Sequence, residues 1–254
     1  MSCSHDQRST VKSGILRTTV PILTIGGILL WSLGPSAAVG VTAGHFEIAL
    51  TRFNAVTPPA YRALRRLEAG HPGSGRHGWL EVWTEHRPGD GLKYTVIREG
   101  GHTYVRTEIL RKLLNAEQEL IATGKPLRAP IVPRNYDVED GGTTAAGLRR
   151  LLLRPARKSH GIVRGAAFIE PDSGHVERIE GRLAKSPSLW VRDVDVMWRF
   201  TRFGDSLLPA ELSSSARVVF YGRQPLKMTY DYEQVGGRAV NGALRAAMPA
   251  DSRE

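Results

Sequence analysis

Eight histidines, His5, His45, His71, His77, His86, His102, His160 and His175, are the side chains of this sequence best suited to ligate a metal or move a proton near neutral pH. None stands four residues from another, as a helical zinc site requires. The single cysteine, Cys3, lies near the N-terminus, so a disulfide framework or a thiolate metal site is excluded. Asp137, Glu139 and Asp140 precede Gly141-Gly142 and could hold a hard cation, but carboxylates beside a Gly-Gly turn read as a solvated loop. The string Gly73-Ser74-Gly75-Arg76-His77-Gly78 spells a dinucleotide fingerprint. That motif works only after a strand and at the start of a helix, and here the order is reversed. No serine occupies a nucleophile elbow and no carboxylate pair stands out for acid–base work. The sequence therefore predicts a protein with no catalytic residue, no cofactor and no metal.

The formal net charge is +10, which suits nucleic acid, an anionic membrane surface or an acidic ligand. The arginines are dispersed, with short clusters only at Arg65-Arg66, Arg149-Arg150 and Arg154-Pro155-Ala156-Arg157-Lys158. No basic recognition helix or zinc-finger spacing accompanies them, so nucleic acid is not an expected partner. The charge reads as solvated surface, with transient contact to a membrane surface left open.

The informative pattern is apolar. Leu226, Met228, Tyr230 and Tyr232 alternate with Lys227, Thr229, Asp231 and Glu233, which gives one strand a greasy face and a wet one. Trp190, Val194, Val196, Trp198 and Phe200 alternate with Asp193, Asp195, Arg199 and Thr201 in the same way, although Arg192 interrupts the apolar set. Such faces need a cover. Few helices are foreseen to shield a sheet of roughly eight strands, and incomplete cover leaves an apolar cavity. The expected lining is Trp190, Val194, Val196, Trp198, Phe200, Met228, Tyr230 and Tyr232 from the sheet, with Ile109 and Leu113 from a lid helix.

The elements that must position these residues begin after an N-terminal address. Lys12 and Arg17 precede an apolar run from Val20 to Leu33, which closes with Gly34-Pro35 and Ser36-Ala37-Ala38. The run is shorter than the roughly 20 residues a spanning helix needs and ends in small residues, so residues 1–38 are expected to be a secretory signal. Cleavage is expected after Ala38, with Ala43 as the alternative. The other reading is an uncleaved membrane anchor. Either one exports the remainder to the periplasm or cell envelope, as one domain over 44–240 and a C-terminal tail over 241–254.

Residues 45–69 carry Phe46, Leu50, Phe53, Tyr61, Leu64 and Leu67 at spacings that predict two short helices joined at Pro58-Pro59. Gly70 to Gly78 is a loop by composition, and Trp79 to His86 and Leu92 to Glu99 form a hairpin. Val105, Ile109, Leu113, Leu120 and Ile121 predict an amphipathic helix capped by Thr103 or Thr107 and stopped by Gly124 and Pro126. Strands are then expected over Leu148 to Leu153, Ile162 to Glu170, His175 to Ala184, Leu189 to Phe203, Ser214 to Tyr221 and Leu226 to Val235. Short turns without intervening helices make these antiparallel. The fold class is mainly β (α+β), a half-open curved antiparallel β-sheet or barrel with a few covering helices.

Tyr94-Thr95-Val96-Ile97-Arg98-Glu99-Gly100-Gly101, Asn135-Tyr136-Asp137, the run from Ile179 to Trp190, Leu208-Pro209-Ala210 and Tyr230-Asp231-Tyr232 resemble the outer-membrane lipoprotein-sorting family, the LolA/LolB-like proteins, over about residues 79 to 235. That resemblance implies a half-open β-barrel closed on one side by helices, whose lining holds the acyl chains of a lipoprotein in transit. It carries over no catalytic residue. Its wider group includes periplasmic sensors, so a carrier of lipid or lipoprotein acyl chains and a sensor or scaffold recognising an envelope protein both stand as expectations.

Overall fold

The protein is described by a computed structural model over residues 40–55, 58–126 and 128–240. The expected signal over 1–38 and the tail over 241–254 lie outside the described residues. Helix α1 spans Gly40–Ala55 and is followed by strands β1 (Tyr61–Ala69), β2 (Gly78–Arg87) and β3 (Gly91–Gly101). A π-helical turn (Val105–Arg111) runs directly into helix α2 (Lys112–Ala122). Then come β4 (Tyr136–Thr143), β5 (Arg149–Pro155), β6 (Val163–Ile169), β7 (Val176–Leu183), β8 (Val191–Phe203), β9 (Ser206–Val218), β10 (Gly222–Val235) and the short β11 (Arg238–Ala239).

All eleven strands belong to one antiparallel sheet in the order β3-β2-β1-β10-β9-β8-β7-β6-β5-β4, with β11 paired to β10. The pairing of β1 with β10 is the one junction in that path between strands distant in sequence. Because β3 and β4 are the two edges and do not pair, the curved sheet stays open and is not a closed barrel. This is the expected half-open antiparallel architecture. No described helix is long and apolar enough to cross a membrane.

Two larger apolar cores fill the concave face. Leu110 of the π turn and Leu114 of α2 pack with Leu67, Leu80, Val82, Met228 and Tyr232 of the sheet. Under α1 and the segment preceding β4 lie Phe53, Ile131, Tyr136, Leu151, Leu153, Ile162 and Ile179.

Five expectations are corrected. The second of the two helices foreseen before residue 69 is strand β1. Its buried face is Ala63, Arg65, Leu67 and Ala69, and an arginine and two alanines on that face hide the period of two, leaving Tyr61, Leu64 and Leu67 to mimic helical spacing. Arg65, grouped with solvated surface charge, is completely buried.

The acidic cluster is not a loop but edge strand β4, where Glu139 pairs with Arg154 at 2.8 Å and Asp140 with Arg149 at 2.7 Å on β5. Charges on an edge strand deter pairing with another chain. Strand β9 starts at Ser206, eight residues before its expected start at Ser214, and runs through Pro209. The ladder shifts register opposite that proline, between Arg199 and Phe200, and a bulge is where a strand tolerates proline. Neither threonine caps the helix. Tyr104 precedes the π turn without a side-chain cap bond, and the Thr107 hydroxyl instead donates to the Thr103 carbonyl at 3.1 Å.

Candidate functional site

A cleft of about 800 Å³ opens between the sheet and its helical cover. It is reached by the end of α1, the start of β1, the β2–β3 turn, the C-terminal end of α2 and the β8–β9 hairpin. Phe53, Tyr61, Ile121, Phe200, Leu207 and Tyr230 supply its apolar wall. Helix α1 ends at Ala55 and β1 begins at Tyr61, two residues after Pro59, so that Phe53 and Tyr61 both reach the cleft.

Polar groups enter this wall at a few points. Arg128 lies over the ring of Phe53 at 3.6 Å and near that of Phe200 at 5.9 Å, and it donates to the Phe53 carbonyl at 3.3 Å. The two rings meet edge to face at 5.1 Å. Burial draws the Arg128 guanidinium down to about 10, opposed only in part by the nearby Tyr136 phenol. A desolvated cation between aromatic faces, with no acidic partner among the described residues, is a receptive group for an anion.

Beneath α2 lies a second polar group. Arg65 donates to Glu117 Oε2 at 2.7 Å and to the Tyr230 hydroxyl at 3.1 Å, touches the Met228 sulfur, and stacks over the Tyr230 ring at 4.5 Å. Burial works against its charge, but Tyr230 and Glu117 outweigh that and the guanidinium stays protonated. Tyr61, Tyr230 and Tyr232 surround it, with Tyr61 packed edge-on to Tyr232 and Tyr230 stacked on Tyr232. Glu117 and Tyr230 also line the cleft, so this network forms part of its floor. Among the described residues no three His, Cys, Asp or Glu side chains gather into a group that could hold a metal.

The ten residues expected to line the cavity are distributed unevenly. Phe200 and Tyr230 line the cleft. Met228 and Tyr232 are core residues beneath the helix, and Leu113 packs against that core half-buried. Val194 and Val196 belong to a small separate core with Val163, and Trp198 joins that core to the one under α1.

Ile109 and Trp190 are not lining residues. Ile109 is 38% exposed because the π turn adds a residue to the helical repeat: buried positions run Val105, Leu110, Leu114, a step of five and then of four, which rotates Ile109 outward. Trp190 is 61% exposed because it precedes β8, outside the ladder that would have aimed it at the core. The lining residues that the pattern missed, Leu207 and Arg128 among them, lie where a proline-containing strand and a connecting segment carry no periodic signal.

No family model and no curated protein sequence matches the chain. A DUF1329 family protein from Desulfovibrio piger is similar in structure, with a TM-score of 0.40 and 11% identity over 82% of this chain and 98% of that one. A LolA superfamily protein from Nitrosomonas europaea is similar with a TM-score of 0.39 and 8% identity, over 81% of this chain and 98% of that one.

Proposed function

We propose that the chain is an exported envelope protein that takes the apolar part of a lipid or lipoprotein acyl chain into the cleft, with an anionic head group meeting Arg128. It acts by binding and release, with no catalytic step. The observation that carries this reading is the cleft itself. Its volume of about 800 Å³ falls within the range of small-molecule sites, and its wall is mostly aromatic and aliphatic, with Arg128 held against the Phe53 ring and Arg87 and Lys125 also on the lining. Each methylene moved from water into such a wall gains about 0.8 kcal/mol, so a chain of about ten methylenes supplies about 8 kcal/mol before the cost of ordering it.

Native mass spectrometry of the protein purified from the envelope of its own host tests the reading. A co-purifying lipid or acylated peptide, lost in Leu207→Glu while the fold persists, supports it. An empty monomer that also ignores added lipid removes it.

A second reading, a sensor or scaffold that recognises an envelope protein, is favoured by the filled face beneath α2. Met228 is 2% and Tyr232 0% exposed there, so the core directly beneath the helix is filled by the chain's own side chains. That reading predicts a partner captured with equal affinity by wild type and Leu207→Glu.

A further inference from the structure

At the opposite end of the sheet from the cleft three connections converge: residues 70–77 between β1 and β2, residues 184–190 between β7 and β8, and the β9–β10 turn at Val219 to Tyr221. They are tied together by bonds between them and the strands they flank. Gly70 donates its amide to the Pro225 carbonyl at 3.0 Å, His71 Nε2 bonds to the Arg223 carbonyl at 3.0 Å, and the Val219 amide donates to the Trp190 carbonyl at 2.9 Å.

The tips carry large apolar side chains that no described residue covers. Leu189 is 79%, Trp190 61%, Phe220 87% and Tyr221 50% exposed, and the rings of Trp190 and Phe220 lie 6.4 Å apart. Isolated exposed hydrophobics are ordinary, but four gathered on adjoining loop tips are not. Basic groups frame them. Arg76 sits over the Tyr221 ring at 4.4 Å, and Lys185, Arg192, Arg217 and Arg223 are exposed around them. Asp193 and Asp195 are engaged with Arg217 at 3.5 Å and Arg223 at 2.7 Å, with Arg182 adding a bond to Asp195 at 2.9 Å, so cations outnumber the carboxylates.

Phe220 adds an independent observation. It sits at φ 67 in a turn closed by the Tyr221 amide and the Val218 carbonyl at 3.0 Å. Position three of such a turn favours glycine or asparagine, and a bulky aromatic there is strained. The fold gains nothing from a Phe that is 87% exposed, so the residue is explained by what it contacts outside the chain.

We propose that this end of the sheet docks on an anionic lipid bilayer, with Leu189, Trp190, Phe220 and Tyr221 entering the headgroup region and the surrounding arginines meeting lipid phosphates. Side chains that project from loop tips fit a soft interface better than a protein pocket. Tryptophan and tyrosine also favour the membrane–water boundary, where one part of the ring is dry and its polar tip is wet. From Val191 beside the patch to Phe200 at the cleft, β8 spans about 30 Å at about 3.3 Å per residue. Docking therefore leaves the cleft turned away from the bilayer, open to a partner or ligand arriving from the aqueous side. This inference does not depend on what the cleft binds.

The test is flotation of the chain, purified from its own envelope, with vesicles of phosphatidylglycerol and phosphatidylcholine and with vesicles of phosphatidylcholine alone. Partition to the anionic vesicles is expected to fall about tenfold in Phe220→Gly and in Leu189→Ser/Trp190→Ser, and to weaken with added salt. Phe220→Gly relieves the turn, so its melting temperature is expected to equal or exceed that of wild type, which separates lost docking from lost folding. Quenching by brominated lipid, read as the difference between wild type and Trp190→Phe, reports the tip itself even if an apolar N-terminal segment also binds. Trp190 emission untouched by brominated lipid, equal partition of variants and wild type, or a patch that captures a protein while ignoring vesicles overturns the proposal.

Discussion

Arg65 on β1 and Glu117 on α2 meet at 2.7 Å inside an otherwise aliphatic and aromatic core, and this pair fastens the buried face of the helix to β1, while Tyr94 donating to Asn115 Oδ1 at 2.6 Å and Gln118 donating to the Leu92 carbonyl at 2.9 Å hold its other side to β3. The Nε and Nη1 of Arg65 have no hydrogen-bond partner among the described residues. The pair is therefore an expensive contact to desolvate, and its value lies in fixing which turn of α2 faces β1.

Removing one member strands the other in the core. Glu117→Ala is expected to cost about 3–5 kcal/mol in denaturant unfolding, whereas the double change Arg65→Met with Glu117→Leu recovers most of that loss. A single-site cost under about 1 kcal/mol would show that water reaches the pair.

Alkaline titration should reveal buried phenols. Burial pushes Tyr61 up to about 12 from an ordinary 10.0, and it raises Tyr136, Tyr230 and Tyr232 as well. The folded state favours their protonated forms. That contribution is present in full below pH 10 and is lost as the pH rises through about 12. Phenolate absorbance should thus appear in two steps, an early one from exposed tyrosines and a late one coincident with loss of near-ultraviolet circular dichroism. A single step near pH 10 would contradict the packing around Arg65.

The step of five across the π turn makes opposite forecasts for neighbouring residues. Leu114→Ala removes a side chain with 0% exposure and is expected to cost about 3 kcal/mol, while Ile109→Ala, at 38% exposure, should change stability by less than about 1 kcal/mol. Thermal melts of the two variants decide it, and equal losses would mean a regular α-helix.

Gly165 on β6 faces Gly181 on β7, and a Cβ on Gly165 would overlap the Glu180 carbonyl and stand 2.6 Å from the Gly181 Cα. Gly165→Ala should therefore cost about 3 kcal/mol by forcing the two strands apart. An unchanged melting temperature would show that this part of the ladder yields.

Where apolar residues alternated or ran together between clear turn signals, the fold was legible in the sequence. The hairpin of β2 and β3 and strands β5, β6, β7, β8 and β10 are the expected elements within a few residues at their ends. Burying one face of a strand leaves a period of two, and a short turn leaves only an antiparallel neighbour. The same property explains the failures. Arg65 breaks the alternation of β1 while sitting in the core, Pro209 interrupts β9 at a register shift, and charged β4 has no buried face to advertise.

The sequence by itself determined a mostly β chain with apolar strand faces, because that demand is local and repeats every second residue. Only the tertiary structure decided that β10 returns to pair with β1, that Glu117 reaches Arg65, and that Phe53, Arg128, Phe200 and Leu207 share one cleft. Those contacts join residues far apart in the chain, and no local periodicity records them.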